Sequence, residues 1–130
     1  MAVRRTFCHK TARKMKAILI KGLLIEAVVG IHEYERNMEQ PIRINLEMEV
    51  DEFPNNHDFN ETKFVDYAEI AARIEELIIT SKFYLLETMA TKIADTLLEK
   101  YPISNVSIEI EKPNAITRAN SAGVKLIRKA

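Results

Sequence analysis

The sequence predicts an α+β fold, in which a four-stranded antiparallel sheet carries two helices on one face. Three observations predict it. Residues 42–50 alternate between apolar and polar side chains, which is the period of a strand with one buried face. Residues 66–80 and 86–98 repeat apolar side chains at spacings of three and four, which is the period of a helix with one buried face. The complete order is strand, strand, helix, helix, strand, strand, and this order favours helices on one side of the sheet.

The first two strands are expected to pair as an antiparallel hairpin. The aliphatic run 16–31 is interrupted by Gly22, which indicates a bulge or bend, and Gly30 is expected to end the strand. The second strand occupies 42–50. Residues 51–63 are polar and rich in turn-forming types, so they are expected to form a surface loop rather than a domain boundary.

Sequence signals also mark the ends of the two helices. Asp66 is placed to cap the first helix, and Pro102 ends the second. Because only residues 81–84 separate the helices, we expect them to be antiparallel neighbours. Two further strands, at 105–111 and about 121–129, complete the sheet.

Composition limits the classes of partner. The 130 residues fit one domain, and the 19 basic and 19 acidic residues form no basic stripe, so nucleic acid is not expected as a partner. Lys21 and Glu26 interrupt the apolar run near the start of the fold, so no membrane-spanning helix is expected there. A single cysteine, Cys8, cannot form an internal disulfide, which favours a cytoplasmic location.

Residues 1–14 differ in charge from the rest of the chain. They contain five basic residues and no acidic residue, whereas the first acidic residue of the sequence is Glu26. We expect this segment to be a disordered leader or a start-site extension, with Met15 the working initiator, rather than a transit peptide. The folded domain is therefore expected to span residues 15–130.

The predicted sheet has two unpaired edges and one face without helices. Edge strands of this kind pair with other chains unless they are protected. We therefore expect edge-to-edge assembly of several copies, with the polar face of the sheet lining an internal channel. The alternative is a monomer whose second sheet face is simply hydrated, which the polar residues at alternate positions of 42–50 permit.

Lys112 stands where an alternating strand runs into Pro113 and the turn-forming Asn114. The residue before a proline is restricted to extended geometry, so the backbone sets the direction of the lysine side chain. An ammonium in this position is a candidate for proton transfer. The alternative is a solvated lysine at the end of a strand.

Glu87 falls in the first turn of the second predicted helix, where unpaired N–H groups and the helix dipole stabilise a carboxylate. A carboxylate accepts two parallel N–H bonds, so Glu87 complements a ring that presents an amino group beside a ring N–H, as pterins and guanines do. The backbone at Leu86 is expected to add a contact. The alternative is an exposed charge that only stabilises its own helix.

The turn between the first two strands holds a third candidate cluster, residues 30–36 followed by Gln40. His32 and His57 invite a metal site, but no spacing in the sequence brings two histidines and a carboxylate together, so no metal is expected. Tyr67 begins a helix, where it either fills the core with its ring or presents its hydroxyl to a site.

Four segments taken together resemble dihydroneopterin aldolase of folate biosynthesis over about residues 15–128. They are Gly30-Ile31-His32-Glu33-Tyr34-Glu35 with Gln40, Val65-Asp66-Tyr67, Leu85-Leu86-Glu87 and Lys112-Pro113-Asn114-Ala115-Ile116. The resemblance implies the tunnelling fold, in which four subunits join their sheets into a barrel. It implies a homo-tetramer, or a homo-octamer of two stacked rings, with the sites at subunit interfaces.

The resemblance also implies an activity. A lyase of this family cleaves 7,8-dihydroneopterin by retro-aldol chemistry into 6-hydroxymethyl-7,8-dihydropterin and glycolaldehyde, with no cofactor, metal or Schiff base. In this family's pattern Lys112 is the acid/base, Glu87 and the backbone of Leu86 hold the pterin, Tyr67 comes from a neighbouring subunit, and Glu35 faces the reacting side chain. The implied catalytic residues are thus Lys112, Tyr67 and Glu35, and the implied substrate-binding residues are Glu35, Tyr67, Leu86 and Glu87.

One departure and two alternatives accompany the resemblance. Asn114 stands where the family commonly has glycine, and asparagine tolerates the left-handed region, so we expect the turn to survive. The first alternative is epimerisation of the dihydroneopterin side chain, or of its triphosphate, because the cleaved intermediate can recombine. The second is an oligomer that binds pterin or purine without turnover.

Overall fold

The computed structural model describes residues 15–55 and 64–130, and these residues follow the expected element order. A short 3₁₀ helix, Glu33–Asn37, lies between the first two strands. The other elements are β1 (Lys16–Ala27), β2 (Gln40–Val50), α1 (Tyr67–Ser81), α2 (Leu86–Lys100), β3 (Asn105–Lys112) and β4 (Ala122–Lys129). The predictions for the leader 1–14 and for part of the loop 51–63 fall outside the described residues.

The four strands form one sheet in the order β1-β2-β3-β4, and each neighbouring pair is antiparallel. The predicted β1–β2 hairpin is confirmed. The predicted bulge is also confirmed, because the register shifts between Ile20 and Leu23. Gly22 lies inside this shift with φ +69°, a conformation that glycine adopts without steric cost, and its N–H donates to Asn45 Oδ1 at 2.7 Å.

The prediction that β1 continues to Gly30 was wrong. Strand pairing stops where Ala27 lies opposite Gln40, three residues before Gly30. Beyond that point the chain leaves the sheet, and the N–H of Gly30 donates to the carbonyl of Phe83 in the α1–α2 link at 3.1 Å. An aliphatic sequence does not reveal this exit, because residues that pack against a loop are as apolar as residues in a strand.

Both helices pack on the same face of the sheet, α1 against β1 and α2 against β3 and β4. One core results. Its strand residues alternate along the two central strands: Ile42, Ile44, Leu46 and Met48 from β2, and Val106, Ile108 and Ile110 from β3. Its helix residues recur at helical spacing: Ile70, Ile74 and Ile78 from α1, and Met89, Ile93 and Leu97 from α2. Burial of these side chains is the main stabilising term for the layered arrangement.

The two ends of the first helix have different backbone arrangements. Asp66 caps α1 as predicted, since its carboxylate accepts from the N–H groups of Ala68 at 3.0 Å and Glu69 at 3.3 Å. Lys82 ends α1 in the left-handed conformation, with φ +48°. Four residues later α2 begins, close to the turn that follows β1. Among the described helices, none is long and apolar enough to cross a membrane.

Candidate active site

A cavity of about 560 Å³ opens where three connections meet: the β1–β2 turn, the start of α2 and the β3–β4 turn. This volume lies in the range of small-molecule sites. Four of the residues predicted from sequence line it, namely Glu35, Leu86, Glu87 and Lys112. The fold therefore brings residues that are more than fifty positions apart in sequence into the lining of one cavity.

Glu35 lines this cavity and is buried, with 7% of its surface exposed. Its Oε2 accepts from Lys112 Nζ at 3.0 Å and from Gln40 Nε2 at 3.0 Å. Its Oε1 accepts from the backbone N–H of His32 at 3.1 Å. Three donors, from the β1–β2 turn, the start of β2 and the end of β3, thus hold one carboxylate in a fixed orientation.

These donors also set the protonation state of Glu35. Burial by itself raises the pKa of the carboxyl, but the hydrogen bonds from Gln40, Lys112 and His32 and the charge of Lys112 together outweigh burial and lower the pKa to about 2. The side chain is therefore ionised at neutral pH. It can accept hydrogen bonds and orient a cation, whereas it holds no proton to give to a substrate.

Gly30 makes room for this carboxylate. A Cβ atom built on Gly30 would lie 2.2 Å from both Cδ and Oε1 of Glu35, and the residue has φ +131°. Both the conformation and the contact require glycine. The sequence placed Gly30 at the end of a strand and in the candidate cluster of residues 30–36, but its close approach to Glu35 was not predicted.

Lys112 is the last residue of β3, and its side chain is 15% exposed. The turn that follows is closed by a hydrogen bond from the N–H of Ala115 to the carbonyl of Lys112 at 3.4 Å. Within the described ranges, Lys82 alone among non-glycine residues has positive φ, so Asn114 does not adopt the left-handed conformation. Asparagine therefore replaces glycine in this turn without backbone strain.

Glu87 lies in the first turn of α2 and is exposed at the opposite wall of the cavity. In the described part of the chain its carboxylate makes no hydrogen bond or ion pair. The helix also lacks a side-chain cap, because its N-cap position is Leu85. Both the carboxylate and the first N–H groups of α2 are consequently available to a ligand.

Tyr67 is the predicted site residue that the fold separates from this cavity. It is the first residue of α1, is 62% exposed, and does not line the cavity. Of its two sequence-based interpretations, filling the core is wrong, because a ring this exposed adds little to the core. Tyr67 therefore lies at the surface of the single chain.

Gln40 and Arg36 are functional candidates that sequence reasoning passed over or named only as part of a turn. Besides Glu35, Gln40 Nε2 contacts the carbonyl of Val29 at 2.7 Å, which fixes the amide. The sequence signals for Gln40 were its place after the cluster of residues 30–36 and its inclusion in the segment that resembles the family.

The metal prediction concerned His32 and His57. His57 lies outside the described residues. The His32 ring stacks on Tyr34, with centroids 5.5 Å apart and planes 6° apart. Over residues 15–55 and 64–130 there is no group of three or more histidine, cysteine, aspartate or glutamate side chains that could hold a metal ion.

These features define an α+β protein whose cavity offers a free carboxylate and helix N–H groups on one wall and a buried ammonium–carboxylate pair on the other. Such a cavity suits a flat, nitrogen-rich ring that carries a polar side chain. The family model for dihydroneopterin aldolase, FolB, matches residues 18–127. The chain belongs to the dihydroneopterin aldolase family.

Individual relatives agree with this assignment. The chain is 27% identical over 114 residues to dihydroneopterin aldolase of Haemophilus influenzae, which covers 88% of this chain and 97% of that protein. It is likewise 27% identical over 117 residues to dihydroneopterin triphosphate 2′-epimerase of Escherichia coli, covering 88% and 96%. The crystal structure of E. coli dihydroneopterin aldolase in complex with neopterin is similar in fold, with a TM-score of 0.77, 26% identity, and coverage of 88% of this chain and 99% of that chain.

Proposed function

We propose that the protein is a lyase that cleaves dihydroneopterin to hydroxymethyl-dihydropterin and glycolaldehyde. The observation that carries the proposal is that one cavity is lined by the Glu87 carboxylate, which has no partner among the described residues, and by the Lys112–Glu35 pair. Family membership supplies the substrate class. A crystal structure of a relative contains neopterin, which is the oxidised counterpart of the proposed substrate.

Recognition of the ring is assigned to the α2 wall. The Glu87 carboxylate accepts two parallel N–H bonds from the amino group and adjacent ring N–H of the pterin, and the backbone of Leu86 adds a contact. Leu86 is 9% exposed and its side chain belongs to the core, so the backbone that it carries is rigid. A rigid anchor reduces the entropic cost of orienting the ring.

Proton transfer is assigned to the opposite wall. Cleavage requires removal of a side-chain hydroxyl proton, and the electrons of the breaking carbon–carbon bond pass into the imine of the pterin ring. The enamine-like carbon is then protonated. Lys112 is the acid/base in this scheme, directly or through ordered water, and the ionised Glu35 holds its ammonium in place.

The proposal includes neither a Schiff base nor a metal. The substrate's own ring imine can accept the electron pair, so the chemistry does not require another electron sink.

We place the activity in the cytoplasm, since a chain with the single cysteine Cys8 gains no internal disulfide from an oxidising compartment.

Assembly completes the proposed site. The edge strands β1 and β4 expose Leu19 (48%), Leu24 (57%) and Ile127 (62%), which favours edge-to-edge joining of copies into a tetramer or octamer. The face opposite the helices has a hollow of about 460 Å³ with polar and charged lining, suited to an internal channel. In such a ring Tyr67 would reach the cavity of a neighbouring copy, which agrees with its exposure on the single chain.

Charge favours the aldolase over the triphosphate epimerase. The described lining of the cavity includes the carboxylates of Glu35, Glu39 and Glu87, against one lysine, Lys112. A triphosphate adds several negative charges, and like charges at close range are unfavourable. The uncharged side chain of dihydroneopterin suits this lining better.

One experiment separates the candidates. The purified protein is incubated with dihydroneopterin and, separately, with dihydroneopterin triphosphate, and the products are identified by chromatography. The proposal predicts glycolaldehyde and hydroxymethyl-dihydropterin from the first substrate. Epimerised triphosphate as the main product would support the epimerase, and bound pterin without any product would support a non-catalytic binding protein.

A further inference from the structure

Arg36 follows Glu35 in the 3₁₀ helix, and its guanidinium contacts three backbone carbonyls. Nη1 donates to Gly30 O at 2.9 Å and to Phe83 O at 3.2 Å, and Nη2 donates to Lys82 O at 2.7 Å. The carbonyls belong to two segments more than forty residues apart in sequence. One side chain thus bridges the turn after β1 and the link between α1 and α2.

The same guanidinium lies over the ring of Tyr84, 4.0 Å from its centroid. Tyr84 lines the cavity, and the residues that follow it, Leu85 to Glu87, form the ring-binding wall. The hydrogen bond from the N–H of Gly30 to Phe83 O, at 3.1 Å, joins the same two segments. We call these contacts, made by Gly30, Arg36 and residues 82–84, the seam.

The chemistry of the seam suits arginine in particular. Lys82 and Phe83 follow the last turn of α1, where carbonyls lack helical partners and the helix dipole favours a cation. A planar guanidinium can address three carbonyls and stack on a ring at once. A lysine ammonium retains the charge but not this fork or the stacking plane.

We propose that Arg36 is a positioning residue for the proposed reaction, holding the Leu86–Glu87 wall at a fixed separation from the Glu35–Lys112 pair. The seam connects these two halves of the site. Arg36 directly follows Glu35 in the sequence, and residues 82–84, which Arg36 contacts, directly precede Leu85. The inference rests on the proposed function. Arg36 itself does not line the cavity and acts through the segments that it joins.

Two substitutions and one matched control test this role. Arg36→Met removes every donor and retains much of the side-chain length, and Arg36→Lys retains the charge. Arg73→Met is the control, because Arg73 also donates to a tyrosine, Tyr101 Oη at 2.8 Å, and lies 5.9 Å from that ring, yet does not line the cavity. For each protein, three quantities are measured: the melting temperature, the dissociation constant for neopterin from fluorescence quenching, and kcat and KM for dihydroneopterin.

We expect Arg36→Met to lose about 10-fold to 100-fold in kcat/KM and to bind neopterin more weakly, because small misplacements of binding groups reduce rates by factors of this size. Arg36→Lys is expected to recover melting temperature but to remain impaired in both kcat/KM and neopterin binding. Arg73→Met is expected to retain wild-type kinetics even where it lowers the melting temperature. If Arg36→Met does not fold, Arg36→Lys alone decides the matter.

Two outcomes overturn the inference. The first is wild-type neopterin binding and kinetics in folded Arg36→Lys and Arg36→Met, which would leave Arg36 a purely stabilising residue. The second is an equal kinetic loss in Arg73→Met. Failure of the proposed function has a different signature, since the wild-type protein itself would then not cleave dihydroneopterin. In that case the neopterin dissociation constants still test the inference. Equal constants for the wild type and Arg36→Met would overturn it as well.

Discussion

Glu35→Gln tests how strongly the cavity holds its buried carboxylate ionised. The pKa of Glu35 is lowered to about 2, because the hydrogen bonds from Gln40, Lys112 and His32 and the charge of Lys112 outweigh burial. A lowering of this size corresponds to a contribution on the order of 3 kcal/mol to the free energy of unfolding at neutral pH. A carboxyl whose pKa is lower in the folded than in the unfolded protein stabilises the fold at pH values above its unfolded pKa. This contribution is lost as the pH falls from about 4.5 through about 2.

The assay is urea unfolding of the wild type and Glu35→Gln at pH 7, 5, 4 and 3, at one protein concentration because assembly affects stability. We expect the wild type to be more stable at pH 7 and its advantage to narrow by about 2 kcal/mol between pH 7 and pH 3. A pH-independent difference for Glu35→Gln would refute the assignment of Glu35 as a held carboxylate.

Three other substitutions separate catalysis, site geometry and fold. Lys112→Ala should lower kcat about 100-fold to 10,000-fold while leaving neopterin binding measurable by fluorescence, and an unchanged kcat would remove Lys112 from the mechanism. Gly30→Ala places a methyl group against the Glu35 carboxylate and should lower kcat at least about 10-fold in steady-state assays, whereas Gly22→Ala meets no atom within 4 Å and should affect only stability; equal kinetics in the two variants would contradict this. Asp66→Ala should lose about 1 kcal/mol in urea unfolding with unchanged KM, and no loss would mean that its cap contributes nothing.

Local pattern was sufficient to predict much of the fold. The period-two alternation of β2 places Ile42 to Val50 in the core at every second residue, and the helical spacing predicts both helices to within a residue or two. Gly22 and Asp66 were correctly interpreted because a bulge and a cap depend on nearby backbone. The end of β1 was not predictable, because it depends on Phe83, which is more than fifty residues away.

The site was predictable only in its parts. Lys112 and Glu87 stand at element ends that the sequence marks, but no sequence spacing relates Glu35 to Lys112, which lie 77 residues apart. The resemblance to a family assigned both residues to one site but did not predict that they contact each other. The contacts of Arg36 with Lys82 and Phe83 also join residues that are far apart in sequence, and no sequence motif predicts them. The proposed role of Tyr67 depends on an interface with a second copy of the chain, and the pattern of a single sequence does not predict that contact.

The most direct test of the two-walled site is a crystal structure of the protein with bound neopterin. The account predicts that the amino edge of the pterin ring lies within hydrogen-bond distance of the Glu87 carboxylate and that the hydroxylated side chain points toward Lys112 Nζ. A ligand bound elsewhere, or in the cavity with its ring edge away from Glu87 and its side chain away from Lys112, would contradict it.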